Sequence, residues 1–401
     1  MIFLFIYWLF FFISAVALLG CIAASTTMGF RFREVIQATS YSEPVSSLSM
    51  IVPLKGADAF TASHLKALVE SVVDFPVEYL FTMESMNDPT FAICQQVKEE
   101  HPDKDIRVIL SGPAIGRMGK QHNLAVATQQ ACYEAIGSMD ADVLVEPDTL
   151  EVGLRYVALS LTGVTYFLPA YYGSGPAGGL LVALYSNYYY QLYMGALSLS
   201  VNAPFITGAL WLTRKESLQL IGGSQQFSLT VSDDAAIGKA ILRQNLKNVL
   251  IPRTVRIPFE QVDLSGGGKH LLKWMAMLRS EGIPTFLAIL FSWHPILWSF
   301  ITFVVGILLF GSNKQYLIYG TVLLISALFV KLASALILNR RIYSFSGLQN
   351  LFFLPAYELV AVPILFGKGL FQRTIEWRGR RYLLGRNGVI QSMTEQKNIS
   401  T

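Results

Sequence analysis

The sequence predicts an α/β domain, a mostly parallel sheet with helices on both faces, held between N- and C-terminal transmembrane helices. Three observations lead there. Of 401 residues, 53% are hydrophobic and only 14% charged, where a soluble domain carries roughly a quarter charged residues. Met1 to Phe30 contains no charged side chain and is apolar to about Ala24, the length of a spanning helix rather than of a signal-peptide core. Between Leu48 and Asp140, short apolar runs alternate with helix-length segments, the signature of a parallel sheet with crossover helices.

In chain order, residues 1–28 read as an anchor. Arg31 and Arg33 follow it closely and, by the positive-inside rule, place the next segment in the cytoplasm. Ser40 to Ser47, centred on Pro44, reads as a linker. A cytoplasmic domain is expected over 46–282, with strands at Leu48–Leu54, Glu78–Met83 and Ile106–Leu110 and a further strand ending at Asp140. Helices are expected at Ser63–Val73, Thr90–Glu100 and, as one long element, Lys120–Ile136. Ligands on such a sheet sit beyond the carboxyl ends of the strands. Lys55, Glu84, Ser85, Asp88 and Asp140 all fall there.

No charge occurs from Tyr156 to Thr213, and Gly178 to Ser200 within it is long enough to span, yet five tyrosines, Asn187 and Gln191 interrupt that stretch. Tyrosine prefers headgroup depth, so the segment near 176–205 is expected to lie in the membrane interface, with a buried core helix as an equal alternative. Ser232 is expected to cap a helix that begins at Ala235. Ser265-Gly266-Gly267-Gly268 reads as a flexible loop before an interfacial segment that carries Lys273 and Trp274. Residues 283–371 form the C-terminal membrane region. Pro284–Phe310 and Tyr316–Leu338 are expected spans, the second with Lys331 snorkelling toward the surface. Leu348–Phe366, broken by Pro355, Glu358 and Pro363, reads as re-entrant or as a third span. A basic cytoplasmic tail, 372–401, completes the chain.

Composition excludes several classes. The net charge is +4, and no basic run interleaved with aromatics speaks for nucleic acid. Cys21, Cys94 and Cys132 are scattered, giving neither a disulfide frame nor a zinc site. The chemistry lies instead in Asp140-Ala141-Asp142. Carboxylates at i and i+2 of a strand end face one way, and two hard oxygen ligands suit a divalent ion that keeps water and substrate phosphates as its other ligands. Asp234, at a helix start after a glycine-containing loop, is a candidate general base. A rival reading is a lipid-binding scaffold or transporter with a degenerate enzyme domain.

These motifs in order resemble the ceramide glucosyltransferase family of membrane-bound glycosyltransferases, which includes bacterial hopanoid-associated relatives. The resemblance runs through Ile51-Val52-Pro53-Leu54-Lys55-Gly56, Asn87-Asp88-Pro89 and Gly116-Arg117-Met118-Gly119-Lys120-Gln121-His122-Asn123-Leu124. It continues through Asp140-Ala141-Asp142, Thr207-Gly208, Ser232-Asp233-Asp234 and Thr374-Ile375-Glu376-Trp377-Arg378-Gly379-Arg380-Arg381-Tyr382. It implies a GT-A nucleotide-sugar-binding domain and inverting transfer of a hexose such as glucose, from a donor such as a UDP-sugar, to a lipid hydroxyl such as that of ceramide. By the same resemblance Asp140 and Asp142 are the metal–diphosphate acids, for Mg2+ or Mn2+, and Asp234 is the base. Lys55, Glu84, Asp88, Lys120, Asn123, Lys273 and Trp274 are expected to line the donor site, and Thr207, Gly208 and Asp233 to meet the acceptor. Two positions depart from the family pattern. Ser85 stands where the family has its first acid, and the (Gln/Arg)-x-x-Arg-Trp motif reads His270-Leu271-Leu272-Lys273-Trp274. Lysine lacks the bidentate fork of arginine, so Glu84 or Asp88 is expected to take over part of the missing acid's task.

Overall fold

The structure, a computed structural model, describes residues 1–38, 45–311, 313–340 and 348–395. The expected linker at Ser40–Ser47 lies largely outside these, with only residues 45–47 described. The chain divides into two compact units. One comprises Met1–Phe32, Tyr171–Leu197 and Phe259–Gln372; the other comprises Arg33–Ala170, Ser198–Pro258 and Arg373–Thr401.

In chain order the elements are α1 (Ile2–Ala38), β1 (Leu48–Pro53), α2 (Thr61–Val69), β2 (Val77–Met83), α3 (Thr90–Glu100), β3 (Asp105–Leu110), α4 (Gly119–Gln130), β4 (Ala135–Met139), α5 (Thr149–Val157) and β5 (Thr162–Tyr172). They continue with α6 (Ala177–Tyr185), α7 (Gln191–Ser200), β6 (Leu210–Arg214), α8 (Lys215–Leu220), α9 (Asp233–Arg243), β7 (Lys247–Pro258), α10 (Leu264–Ser280), α11 (Ile283–Trp293), α12 (Pro295–Phe310) and α13 (Lys314–Leu338). After the helical stretch Asn350–Phe371 come β8 (Thr374–Trp377), β9 (Arg380–Leu384) and β10 (Ile390–Glu395).

The second unit is built on a seven-stranded sheet of order β3-β2-β1-β4-β6-β5-β7. The first four strands are parallel, and β6 runs antiparallel to both β4 and β5. Strands β1 and β4 are buried along their whole length. That is why they read as continuous apolar runs rather than as alternating ones. The expected long helix over Lys120–Ile136 is shorter: α4 ends at Gln130, and Ala135 already belongs to β4. Gly137 allows the close packing there, since a Cβ would meet Met50 Sδ at 2.6 Å. β8–β10 form a separate three-stranded antiparallel sheet in the same unit, where the sequence suggested only a basic tail.

In the first unit three helices are long and apolar enough to cross a membrane: Ile2–Phe32, Lys314–Leu338 and Asn350–Phe371. Large apolar side chains stand exposed on each of them, among them Phe5, Phe12, Phe329, Val360 and Ile364, as a lipid-facing surface requires. Small hydroxyls join α1 to its neighbours: Ser14 to Thr302 at 2.8 Å and Ser25 to Ser334 at 2.5 Å. Such interhelical bonds are the usual glue where water supplies no driving force.

Three expectations for this unit change. Pro284–Phe310 is not one straight span: α11 and α12 are bent by 75°. Pro295 opens α12 while His294 leaves helical geometry (φ −121°, ψ 69°), as a residue before proline tends to do. The Gly266-Gly267-Gly268 stretch is helical, not a loop. Asp263 caps α10 by accepting from the Gly266 N–H at 2.8 Å. The missing side chains let α10 approach α6: a Cβ on Gly267 would lie 2.3 Å from the Gly178 carbonyl oxygen. The tyrosine-rich stretch is helical, with Tyr185, Tyr188 and Tyr189 almost fully covered, and it falls in the unit that holds the apolar helices. Lys331 does not snorkel. It is buried, donates to the Tyr188 carbonyl at 2.9 Å, and its Nζ sits 3.4 Å from the Tyr189 ring centroid.

Candidate active site

Within the second unit, the loop after β4, the start of α4, the approach to β6 and the start of α9 converge on Lys120. Its Nζ lies 2.6 Å from Asp140 Oδ1 and 4.0 Å from Asp233 Oδ2, and donates to the Gly208 carbonyl at 3.2 Å. Burial alone would lower its pKa. The charges of Asp140 and Asp233, the bond to Asp140 and the charge of Asp234 outweigh burial and hold it above the ordinary lysine value.

Each partner is fixed by its own element. Asp140 follows the last residue of β4, and its N–H donates to the Ala209 carbonyl at 2.9 Å, so this acid is registered against the segment entering β6. Asp233 and Asp234 form the first turn of α9, where the helix dipole favours negative charge. Ser232 occupies the N-cap position, but its side chain makes no capping bond. Its Oγ is buried without a hydrogen-bond partner, against Gly388. This corrects the expected cap: the hydroxyl is turned to packing rather than to the helix start. Asp233 is buried and accepts a hydrogen bond from the Gln121 side-chain amide. Asp234 is more open, with Oδ1 accepting from the Ala235 N–H at 2.8 Å. Gly208 lies between the two charge types: a Cβ there would sit 3.3 Å from Lys120 Nζ and 4.0 Å from Asp234 Cβ. A side chain at this position would crowd the Lys120 ammonium.

Asp142 carries the second informative shift. Burial first, and the neighbouring Asp140 charge second, push its pKa up, while Lys120 and Arg378 pull it back. Burial likewise raises Asp233, and Lys120 opposes that. The Asp140 charge bears on both Asp142 and Asp233, and a cation held beside it would relieve that repulsion. Among the described residues no cluster of three or more His, Cys, Asp or Glu side chains could hold a metal on its own. The Asp140–Asp142 pair therefore fits a Mg2+- or Mn2+-type ion that completes its shell with phosphate oxygens and water.

The remaining expected residues have more structural company. Glu84 is tied by Arg380 through two bonds of 2.6 Å each and by Lys55 at 3.1 Å. Burial pushes its pKa up, but those hydrogen bonds overcome it and hold the carboxyl at about 2. Asp88 accepts from the Gly56 N–H with both oxygens at 3.1 Å and from Thr90 Oγ1 at 2.7 Å. It shapes the loops after β1 and β2. Asn123 is buried, its amide donating to the Leu54 and Thr82 carbonyls at 3.1 and 3.2 Å, so it joins the ends of β1 and β2. Thr207 is buried, its hydroxyl donating to the Phe167 carbonyl. Lys273 and Trp274 belong to the first unit, on α10, where the Trp274 ring packs edge-on to His270 at 4.6 Å. Sequence reasoning gave no role to Gln121 or Arg380. Gln121 stood in a quoted motif, adjacent to Lys120, and that adjacency was the only signal for it.

The second unit thus holds two carboxylate pairs around one lysine on an α/β sheet. Glycosyl transferase family 21 matches residues 11–390, and the chain belongs to that family. It is 22% identical over 351 residues to ceramide glucosyltransferase 3 of Caenorhabditis elegans, covering 86% of this chain and 74% of that protein. It is 21% identical over 403 residues to ceramide glucosyltransferase 1 of the same organism, covering 96% and 83%. Among solved structures, it is similar to a mannosyltransferase from Pyrobaculum calidifontis in complex with GDP-Man and Mn2+. There the TM-score is 0.48 and the identity 18%, over 90% of this chain and 99% of that one. The S. aureus TarS 1–349 complex with UDP-GlcNAc gives a TM-score of 0.37 at 14% identity, over 88% and 100%.

Proposed function

We propose that this enzyme moves a hexose, glucose in the first instance, from a UDP-sugar to the hydroxyl of a membrane lipid of the ceramide type, with inversion at C1. The observation that carries the reading is the convergence of Asp140, Asp233 and Asp234 on Lys120, with Asp142 beside Asp140. It is joined to a chain whose relatives are named ceramide glucosyltransferases.

In this reading Asp142 and Asp140 would hold a divalent ion, which when bound supplies Lewis-acid stabilisation to the departing diphosphate. Lys120 adds fixed positive charge beside Asp140 without becoming a base, because its pKa is held up. The acceptor oxygen attacks C1 as Asp234 takes its proton. The new C1–O bond forms while the bond from C1 to the phosphate oxygen breaks, and that electron pair leaves with the nucleoside diphosphate. Gly208 leaves room for the Lys120 ammonium, and Gln121 keeps Asp233 turned toward Lys120. The apolar helices keep the enzyme at the bilayer that holds the acceptor. Arg31 and Arg33 set the catalytic unit in the cytoplasm. A cysteine introduced near residue 390 tests that orientation: reaction with a membrane-impermeant thiol reagent in intact cells would refute it.

The test of function is transfer by the purified protein in lipid nanodiscs. With ceramide, Mn2+ and radiolabelled UDP-glucose, a chelator-sensitive labelled lipid is expected. If no nucleotide sugar of a UDP or GDP panel labels ceramide or extracted membrane lipids, the reading falls.

A further inference from the structure

The C-terminal sheet is fastened to the catalytic unit at three places, and each adjoins the site. Arg380 forms the two-bond pair with Glu84 at the end of β2. Arg380 also packs on the backbone of Gly119, immediately before Lys120, where a Cβ would lie 3.0 Å from Arg380 Nη1. Gly388 accepts from the Val231 N–H at 2.9 Å, and Asn387 accepts from Thr230 Oγ1 at 3.1 Å, just ahead of Asp233 and Asp234. The tail is therefore held against the loop after β2, the start of α4 and the entry to α9.

At the tip of this sheet, β8 and β9 are joined by two residues only, Arg378 and Gly379, since Trp377 pairs with Arg380. Both joining residues have positive φ, 48° and 75°. Two-residue hairpins demand that conformation, and asparagine or glycine usually supplies it at the first position. An arginine there is an unfavourable choice for the turn. Its side chain is exposed and reaches the loop after β1, where a Cβ on Gly56 would lie 3.6 Å from Arg378 Nη1. The same guanidinium is close enough for its charge to act on Asp142. Arg380, the neighbouring guanidinium, is already paired with Glu84.

We propose that Arg378 is a donor-binding residue: the C-terminal hairpin forms a wall of the nucleotide-sugar site and presents this guanidinium to the donor's diphosphate. The proposal rests on the glycosyltransferase reading above and deepens it. It gives the site a planar, two-pronged cation suited to phosphate oxygens. It also gives Glu84 a task, as the anchor that positions the hairpin through Arg380 rather than as a ligand of the nucleotide.

The test uses full-length protein in nanodiscs and calorimetric binding of UDP and GDP with Mn2+, beside uridine and guanosine. Arg378→Gly removes the guanidinium while suiting the positive-φ turn, so the variant is expected to melt at or above the parent temperature. Its affinity for the nucleoside diphosphate should fall by about 10- to 100-fold, the worth of a charge-assisted pair, with affinity for the bare nucleoside unchanged. Arg378→Lys should recover part of the loss. Equal diphosphate affinity in Arg378→Gly and parent would overturn the assignment, as would a matching loss for the bare nucleoside. If the parent itself binds neither diphosphate, the failure belongs to the glycosyltransferase reading, and the hairpin has no donor to meet.

Discussion

Two lysines, each drawn largely out of water, show how differently the two units use a cation. Lys120 has a side chain 16% exposed, and Asp140, Asp233 and Asp234 all act on it. Among the described residues Lys331 meets no carboxylate directly. Its ammonium rests on the Tyr189 ring and a backbone carbonyl, and Tyr189 in turn donates to Glu358 at 2.9 Å. The other Glu358 oxygen accepts from the N–H groups of Ile296 and Leu297 at 2.7 and 3.0 Å, so it serves the exposed dipole end of α12. The second cluster is closed, with its charges spent on holding helices together. The first carries more negative than positive charge, and Asp140, Asp142 and Asp234 are all partly exposed. An excess of partly exposed acids asks for a ligand; a closed cage does not.

The largest expected effect tests the open cluster. Asp234→Asn should lower the rate of transfer by about two to four orders of magnitude, as loss of a general base does, while nucleoside diphosphate affinity stays at the parent value. A steady-state transfer assay run beside a binding titration would check the split, and parental turnover would remove the base assignment.

The closed cluster should answer in stability instead. Glu358→Ala leaves two buried N–H groups at the start of α12 unpartnered, at about 1–3 kcal/mol each. The thermal transition in detergent should fall by several degrees. Glu358→Gln keeps an acceptor oxygen and should lose much less. Equal melting of all three proteins would show that the carboxylate is not structural.

A smaller effect concerns pH. Asp142 and Asp233 have raised pKa values, burial being the largest cause in each. Between the ordinary carboxylate value and the raised one, the folded state binds more protons than the unfolded state. Without metal, stability should therefore fall as pH rises through that window. Metal-dependent donor binding should move the other way, weakening as pH falls through the raised Asp142 value. Glu84 behaves oppositely to Asp142. Its depressed value means that its pair with Arg380 stabilises above pH 4.5 and is lost as pH falls toward about 2. Melting temperatures taken with and without Mn2+ between pH 4 and 8 should diverge as pH rises; parallel curves would count against the metal pair.

Much of the second unit was legible because its first strands are buried on both faces. Leu48–Pro53, Val77–Met83 and Ala135–Met139 leave uninterrupted apolar runs bounded by turns, and Asp140 falls where such a strand must end. The antiparallel half was not. β5 is hidden inside the charge-free stretch that also holds α6 and α7, so burial erased the boundaries that polarity marks elsewhere. The glycines before Lys273 read as a loop because glycine signals flexibility and close helix approach alike, and the neighbour that decides, Gly178, is remote in sequence. Long-range pairs were out of reach for the same reason. Nothing near Glu84 points to Arg380, which lies 296 positions away, and nothing near Lys331 points to Tyr189. The break at His294 did have a local signal, a histidine before proline in the middle of an apolar run.

The account turns on one claim, that ligand chemistry belongs to the open cluster and not to the closed one. The most direct measurement is Mn2+-dependent nucleoside diphosphate affinity, per folded molecule, for Asp142→Ala and Lys331→Met side by side. Asp142→Ala is predicted to lose the metal-dependent part of binding while melting at or above the parent temperature in the absence of metal. Lys331→Met is predicted to melt earlier while binding the nucleotide as the parent does. Metal-dependent binding that survives in Asp142→Ala, or that disappears in folded Lys331→Met, would contradict it.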